Sequence, residues 1–150
     1  MEYLKIYFDG GSRGNPGPSA VGIVIYDQDG NLVEEISQFI GHQTNNVAEY
    51  QALLKALETA EKYGTDKVIL ITDSKLVHNQ VKKIWKIKDE NLLKIYIAIT
   101  QKLSSYKAVD LRLVPREQNQ EADKLVNQAL DSQEVTYQGE HQVSFGKVEE

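Results

Sequence analysis

Leu4, Ile6 and Phe8 alternate with Tyr3, Lys5 and Tyr7. This period of two predicts a β-strand that stops at Asp9. A second β-rich run, Val21, Ile23, Val24 and Ile25, covers residues 20–26. The turn cluster Asp27-Gln28-Asp29-Gly30-Asn31 follows, and residues 32–40 read as a partner strand. The first three strands therefore form an antiparallel meander. After a polar connection over residues 41–46 the period changes. Tyr50, Leu53, Leu54 and Leu57 recur at helical spacing, with Gly64 as a stop. Asn46 and Glu49 have the spacing of a capping box. Val68-Ile69-Leu70-Ile71 is an unbroken apolar run, the pattern of a strand buried on both faces in a parallel arrangement. It ends at Thr72-Asp73-Ser74, and a helix is expected from Lys75. Leu92, Tyr96, Ile99 and Leu103 mark a further helix. Val109, Leu111 and Leu113 alternate as a fifth strand. Ala122, Leu125, Val126 and Ala129 give the apolar face of a last helix, with Asn119 as its N-cap. The order β-β-β-α-β-α-α-β-α predicts an α/β protein. Its mixed five-stranded sheet would consist of the antiparallel meander plus two strands reached by helical crossovers, with helices on its faces.

The 150 residues suffice for one domain with a substantial core. Cysteine is absent, which excludes disulfides, a thiolate metal site and a thiol nucleophile. No stretch is apolar enough to span a bilayer, and a cytoplasmic protein is the expectation. The net charge of −5 weighs mildly against a nucleic-acid partner. The charge is uneven, however: Lys75, Lys82, Lys83, Lys86 and Lys88 cluster, the last four around Trp85. The loop after the first strand carries Gly10, Gly11, Gly14 and Gly17, so its backbone could approach a ligand closely. It lacks the Gly-Lys-Ser/Thr of a nucleotide-binding loop. Residues 1–130 form the expected domain and 131–150 an extension. There Val135/Tyr137 and Val143/Phe145 flank Gly139-Glu140, which suggests a β-hairpin packed on its own domain or on a second copy. An acidic disordered tail is the other reading.

Four acids stand at comparable places in this topology. If the strand through Ile71 pairs parallel to the first strand, Asp9 and Asp73 lie at one sheet edge, on strands about 4.8 Å apart. Glu49 and Asp123 fall in the first turns of helices that must lie on that sheet. Ligands bind along this edge in α/β sheets with crossovers. Each acid has an ordinary structural role open to it: a turn acid at Asp9, a capping partner at Glu49, an Asx turn at Asp73, a dipole partner at Asp123. Together, with no Lys or Arg between them, they repel one another, and a divalent cation is the usual reason to tolerate that. All-oxygen ligands favour Mg²⁺ or Mn²⁺. Two ions about 4 Å apart would activate a water and stabilise the leaving oxygen in phosphodiester hydrolysis.

The segments DGGSRGNPGPSAVG, TNNVAEYQALLKAL, ITDSKLV and VPREQNQEADKLVNQAL resemble, in order and spacing, the motifs of type 1 ribonuclease H. The resemblance covers roughly residues 1–130. It implies a ribonuclease H-like fold and an endonuclease that cuts the RNA strand of RNA–DNA hybrids with two Mg²⁺ or Mn²⁺ ions, leaving 3′-hydroxyl and 5′-phosphate ends. The family's catalytic and metal-binding acids match Asp9, Glu49, Asp73 and Asp123. Its substrate contacts match Gly10, Gly11, Ser12 and Asn15, then Thr44 at a DNA phosphate and Asn45 and Asn46 in the groove; for the two asparagines helix capping is the other role. Many relatives carry a histidine in the loop before the last acid. Here Pro115-Arg116-Glu117-Gln118-Asn119 has none, and the long basic protrusion is missing too. Both absences resemble a short-loop subgroup. Arg116 there would meet phosphate or pair with Glu117. No membrane and no small-molecule cofactor are implied; a monomer is expected, or a dimer through the extension. Two alternatives remain open at this point: a low-turnover hybrid-binding protein, and an exonuclease or resolvase of the same broad fold.

Overall fold

In the computed structural model, which describes the backbone of residues 1–145 and the side chains of residues 1–133, the meander is as expected. Strands β1 (Tyr3–Ser12), β2 (Gly17–Asp27) and β3 (Leu32–Gln43) lead into helix α1 (Asn45–Ala60). Strand β4 (Lys67–Thr72), helices α2 (Lys75–Val81) and α3 (Glu90–Leu103), strand β5 (Ala108–Leu113) and helix α4 (Gln120–Phe145) complete the chain, with short 3₁₀ turns at Glu61–Tyr63 and Arg116–Gln118. The strand order is β3-β2-β1-β4-β5. β1–β2 and β2–β3 pair antiparallel, while β1–β4 and β4–β5 pair parallel. No helix among the described residues is long and apolar enough to cross a membrane.

The alternation in β1 sets which helix covers which face. Leu4, Ile6 and Phe8 point into the main core with Ile23, Leu53, Leu57 and Leu70, all at most 1% exposed. Gly10 continues that side, and α1 presses against it. On the other face Ala20 packs with Val126 and Leu130 of α4.

β1 does not stop at Asp9. Gly10, Gly11 and Ser12 pair with Val21, Ala20 and Ser19, so the first part of the glycine loop is strand. The apolar alternation ends at Phe8, but the backbone ladder runs on because glycine allows a helix to lie almost on the strand. A Cβ on Gly10 would stand 2.0 Å from the Ala48 carbonyl oxygen, and one on Gly22 would stand 2.1 Å from that of Ala122. Both obstacles are helix backbone. Gly10→Ala should therefore push α1 off the sheet and cost about 3 kcal/mol. A melting experiment should show this as a fall of roughly 6–12 °C; an unchanged melting temperature would contradict the packing described.

Three local expectations are corrected. Thr44, not Asn46, caps α1: its side chain accepts from the Val47 N–H at 3.2 Å. The helix starts two residues earlier than the Asn46–Glu49 pairing assumes, so Glu49 lies beyond the first turn and is no capping partner. Asn119 precedes α4 and its backbone carbonyl accepts from the Asp123 N–H, but its side chain turns inward instead of capping. The hairpin expected over residues 134–145 is replaced by the continuation of α4 to Phe145. Two alternating pairs are a weak strand signal. A helix already formed from Gln120 propagates easily through Gln133, Glu134, Gln138 and Glu140, with no proline to stop it. Residues 146–150 lie outside the described residues.

Candidate active site

The parallel register of β1 and β4 pairs Tyr7 with Ile71. Two residues further along, Asp9 on β1 and Asp73 just past the end of β4 come to the same edge of the parallel pair. The two glycine contacts bring the other acids there. Gly10 touches the Ala48–Glu49 peptide, which sets Glu49 beside β1. Gly22 is the cross-strand partner of Asp9 and receives the Ala122 carbonyl, which sets Asp123 over Asp9. All four carboxylates line one open cleft of about 260 Å³.

Their mutual influence is large. Burial, followed by the charges of Asp73, Asp123 and Glu49 and a hydrogen bond with Asp123, pushes Asp9 from 3.8 up to about 8. Burial raises Glu49 from 4.5 to about 7, with Asp73 adding to it and a hydrogen bond from Ser74 opposing it. Asp73 Oδ1 accepts from Asn119 Nδ2 at 2.8 Å. Arg116 Nη2 lies 3.8 Å from Asp123 Oδ1, so its ion pair is with this acid and not with Glu117.

The other sequence-derived positions divide. Gly10, Gly11, Ser12, Asn45 and Arg116 line the cleft. Gly10 does so while its bare face is filled by α1, so its need for glycine comes from helix packing. Asn45 Oδ1 accepts from the Ser12 N–H at 3.4 Å, and Asn15 Oδ1 accepts from the Asn45 N–H at 3.0 Å. Asn15 and Thr44 stand outside the cleft lining and fix the chain around it, and Asn46 is exposed nearby. The Lys82–Lys88 stretch does not line the cleft; it is tied to the core through Gln80, which accepts from the Tyr50 hydroxyl and donates to the Lys86 carbonyl.

Sequence reasoning missed three contributors. Arg13 lines the cleft and reaches α4 at Asn127 (3.1 Å) and Asp131 (2.7 Å). Ser74, the N-cap of α2, also serves Glu49. Asn119 carries a buried amide. Only the last had a sequence signal, as a polar residue four positions before the acid of α4, and that signal also fits a cap.

Among the described residues, no three acid or imidazole side chains close around one point tightly enough to enclose an ion unaided. That is compatible with Mg²⁺, which keeps several waters and is held by one or two carboxylates plus substrate phosphate oxygens. The donors are all oxygen, and two of the acids hold their protons to unusually high pH, so a hard cation entering the cleft would relieve their repulsion. The residues present therefore fit such an ion, completed by water and substrate.

Comparison with known proteins finds relatives of this chain in sequence and in fold. A family model described as reverse transcriptase-like matches residues 7–129. A ribonuclease HI of Halobacterium salinarum is 45% identical over 128 residues, 85% of this chain. The chain spans 64% of that relative's length, and 36% of the length of mycobacterial relatives that are 43% identical over 130 residues. The crystal structure of a ribonuclease H1 from Halobacterium salinarum superposes with a TM-score of 0.84 at 43% identity, covering 87% of this chain and 98% of that one. A ribonuclease H1 designated LC11, solved in complex with an RNA/DNA hybrid, superposes with a TM-score of 0.81 at 40% identity, over 86% of this chain and 97% of that one.

Proposed function

The chain belongs to the ribonuclease H-like family, and on that premise we propose that it is an endonuclease hydrolysing the RNA strand of RNA–DNA hybrids, leaving 3′-hydroxyl and 5′-phosphate ends. The observation that carries this reading is the meeting of Asp9, Glu49, Asp73 and Asp123 in one cleft. When bound with substrate, two Mg²⁺ or Mn²⁺ ions would supply an activated water and charge stabilisation at the leaving oxygen.

The chain's own residues hold and select the substrate. The strand edge of Gly11 and Ser12 and the side chain of Asn45 give the cleft a narrow polar wall. A-form duplexes present 2′-hydroxyls in a wide, shallow minor groove, which backbone and short polar side chains can enter. Gly10 contributes to this wall through its backbone. Asn15, Asn46 and Thr44 flank it, and in this reading Thr44 meets a phosphate of the DNA strand at the start of α1. Arg116, beside Asp123 and largely exposed, meets a phosphate at the cleft mouth. The catalytic unit in this reading is residues 1–130, with the end of α4 outside it.

The test is a comparison of labelled RNA–DNA hybrid, DNA duplex and single-stranded RNA with Mg²⁺. Because the groove wall reads a 2′-hydroxyl, DNA duplex should be cut on the order of 10⁴-fold more slowly than hybrid. Comparable cutting of DNA duplex would overturn the assignment.

A further inference from the structure

Asn119 lies just before α4 and is 1% exposed. Its Nδ2 donates twice, to the Phe8 carbonyl at 2.9 Å and to Asp73 Oδ1 at 2.8 Å. The Phe8 carbonyl belongs to the peptide that leads into Asp9. The Asn119 backbone carbonyl accepts from the Asp123 N–H at 3.2 Å. One residue thus touches the local chain of three of the four acids. Both partners of the amide are acceptors, so only its NH₂ group can face them, and the orientation is fixed. Asn119 Oδ1 is left buried with no hydrogen-bond partner. Buried polar atoms are ordinarily paired, and a capping asparagine would use this oxygen to accept from the helix. The side chain serves the sheet edge at the expense of its own oxygen and of α4.

We propose that Asn119 is a positioning residue that pins the start of α4 across the ends of β1 and β4, fixing the Asp73 carboxylate against the peptide of Asp9. The inference rests on the reading of the four carboxylates as the reactive centre. Asn119 does not line the cleft, so it acts through the acids and not on the substrate. Without its donor, the Asp73 carboxylate is free to rotate away from the acids that repel it.

Two variants test this. Asn119→Leu keeps roughly the volume and removes the donor without adding a charge; Asn119→Ala removes the side chain. Each should lower kcat about 10- to 100-fold, the usual cost of losing a group that orients a ligating side chain. KM for hybrid, and hybrid affinity measured by fluorescence anisotropy in metal-free buffer, should stay within about twofold. The rise in melting temperature on adding Mg²⁺ should be smaller than in the wild-type protein, a readout independent of turnover. Asp73→Asn is assayed alongside. If Asp73→Asn is inactive and both Asn119 variants keep wild-type kcat, the positioning role is wrong and the carboxylate reading stands. If Asp73→Asn itself cuts normally, the carboxylate reading has failed. Equal losses of kcat and hybrid affinity, or failure of both variants to fold, would overturn the proposal in favour of a purely structural role.

Discussion

Asp73→Asn should stop cleavage while the protein still binds hybrid. Asp73 stands at the end of β4, in the cleft with the other three acids, and its Oδ1 is held by Asn119. Asparagine keeps the shape and can still accept that hydrogen bond, so the fold has no reason to change. What is lost is the charge on an oxygen that a cation needs. If the acids work as one unit, removing one should lower the cleavage rate by at least about 10³-fold. The groove wall of Gly11, Ser12 and Asn45 is untouched, and hybrid affinity should hold within a few-fold. Near-normal cleavage by this variant would contradict the carboxylate site. Loss of cleavage together with a clear loss of metal-free stability would show that Asp73 supports the fold as well.

The second large effect is on stability. In metal-free buffer the protein should lose stability as pH rises from about 4 to about 8. Asp9 is held at about 8 in the folded protein against 3.8 ordinarily, and Glu49 at about 7 against 4.5. Over that window the folded state holds protons that the unfolded chain has released, so stability falls with pH. The contribution is fully present below pH 4 and is lost by the time pH passes the folded values. Each unit of displacement is about 1.4 kcal/mol, and Asp9, the more strongly displaced of the two, contributes the larger share of the loss. Glu34, Asp27 and Asp110 are shifted the other way by their hydrogen bonds, and their effect falls at more acid pH. Mg²⁺ should reverse the loss by binding only the folded form. Asp9→Asn removes the most strongly raised acid and its amide can still donate to Asp123. In metal-free buffer at pH 8 it should melt about 5 °C or more above wild type, at 2–4 °C per kcal/mol. A wild-type protein that gains stability from pH 5 to pH 8 without metal, or a destabilised Asp9→Asn, would contradict this electrostatic account.

The element order and the convergence of the acids were legible because they depend on strong local signals. Alternation in Leu4, Ile6 and Phe8, helical spacing from Tyr50 to Leu57 and the unbroken run at Val68–Ile71 fix strand and helix types. A parallel β1–β4 pair then puts Asp9 and Asp73 at one edge. The less legible features depend on partners far away in sequence. Gly10 reads as a loop residue until α1 is seen to lie on it, and Gly22 carries no signal at all before α4 is in place. Asn119 has the spacing of an ordinary cap, and only the approach of Phe8 and Asp73 turns its amide inward. Thr44 and Asn46 compete for one cap, and the two are separated by where α1 begins. In the tail, two short alternations were outweighed by a helix that had already started.

The most direct test of the account is the chemistry of the product ends. RNA labelled at its 5′ end, paired to DNA and incubated with the wild-type protein, should be cut at internal positions only when Mg²⁺ or Mn²⁺ is present, and the fragments should carry 3′-hydroxyl and 5′-phosphate groups. Those ends require an external water as nucleophile, which is the role assigned to the carboxylate cleft. Cutting that persists in chelator would contradict the need for a cation in the cleft, and fragments ending in a 2′,3′-cyclic phosphate would mean that the RNA's own 2′-hydroxyl attacks; either result would show that Asp9, Glu49, Asp73 and Asp123 do not form the reaction centre proposed.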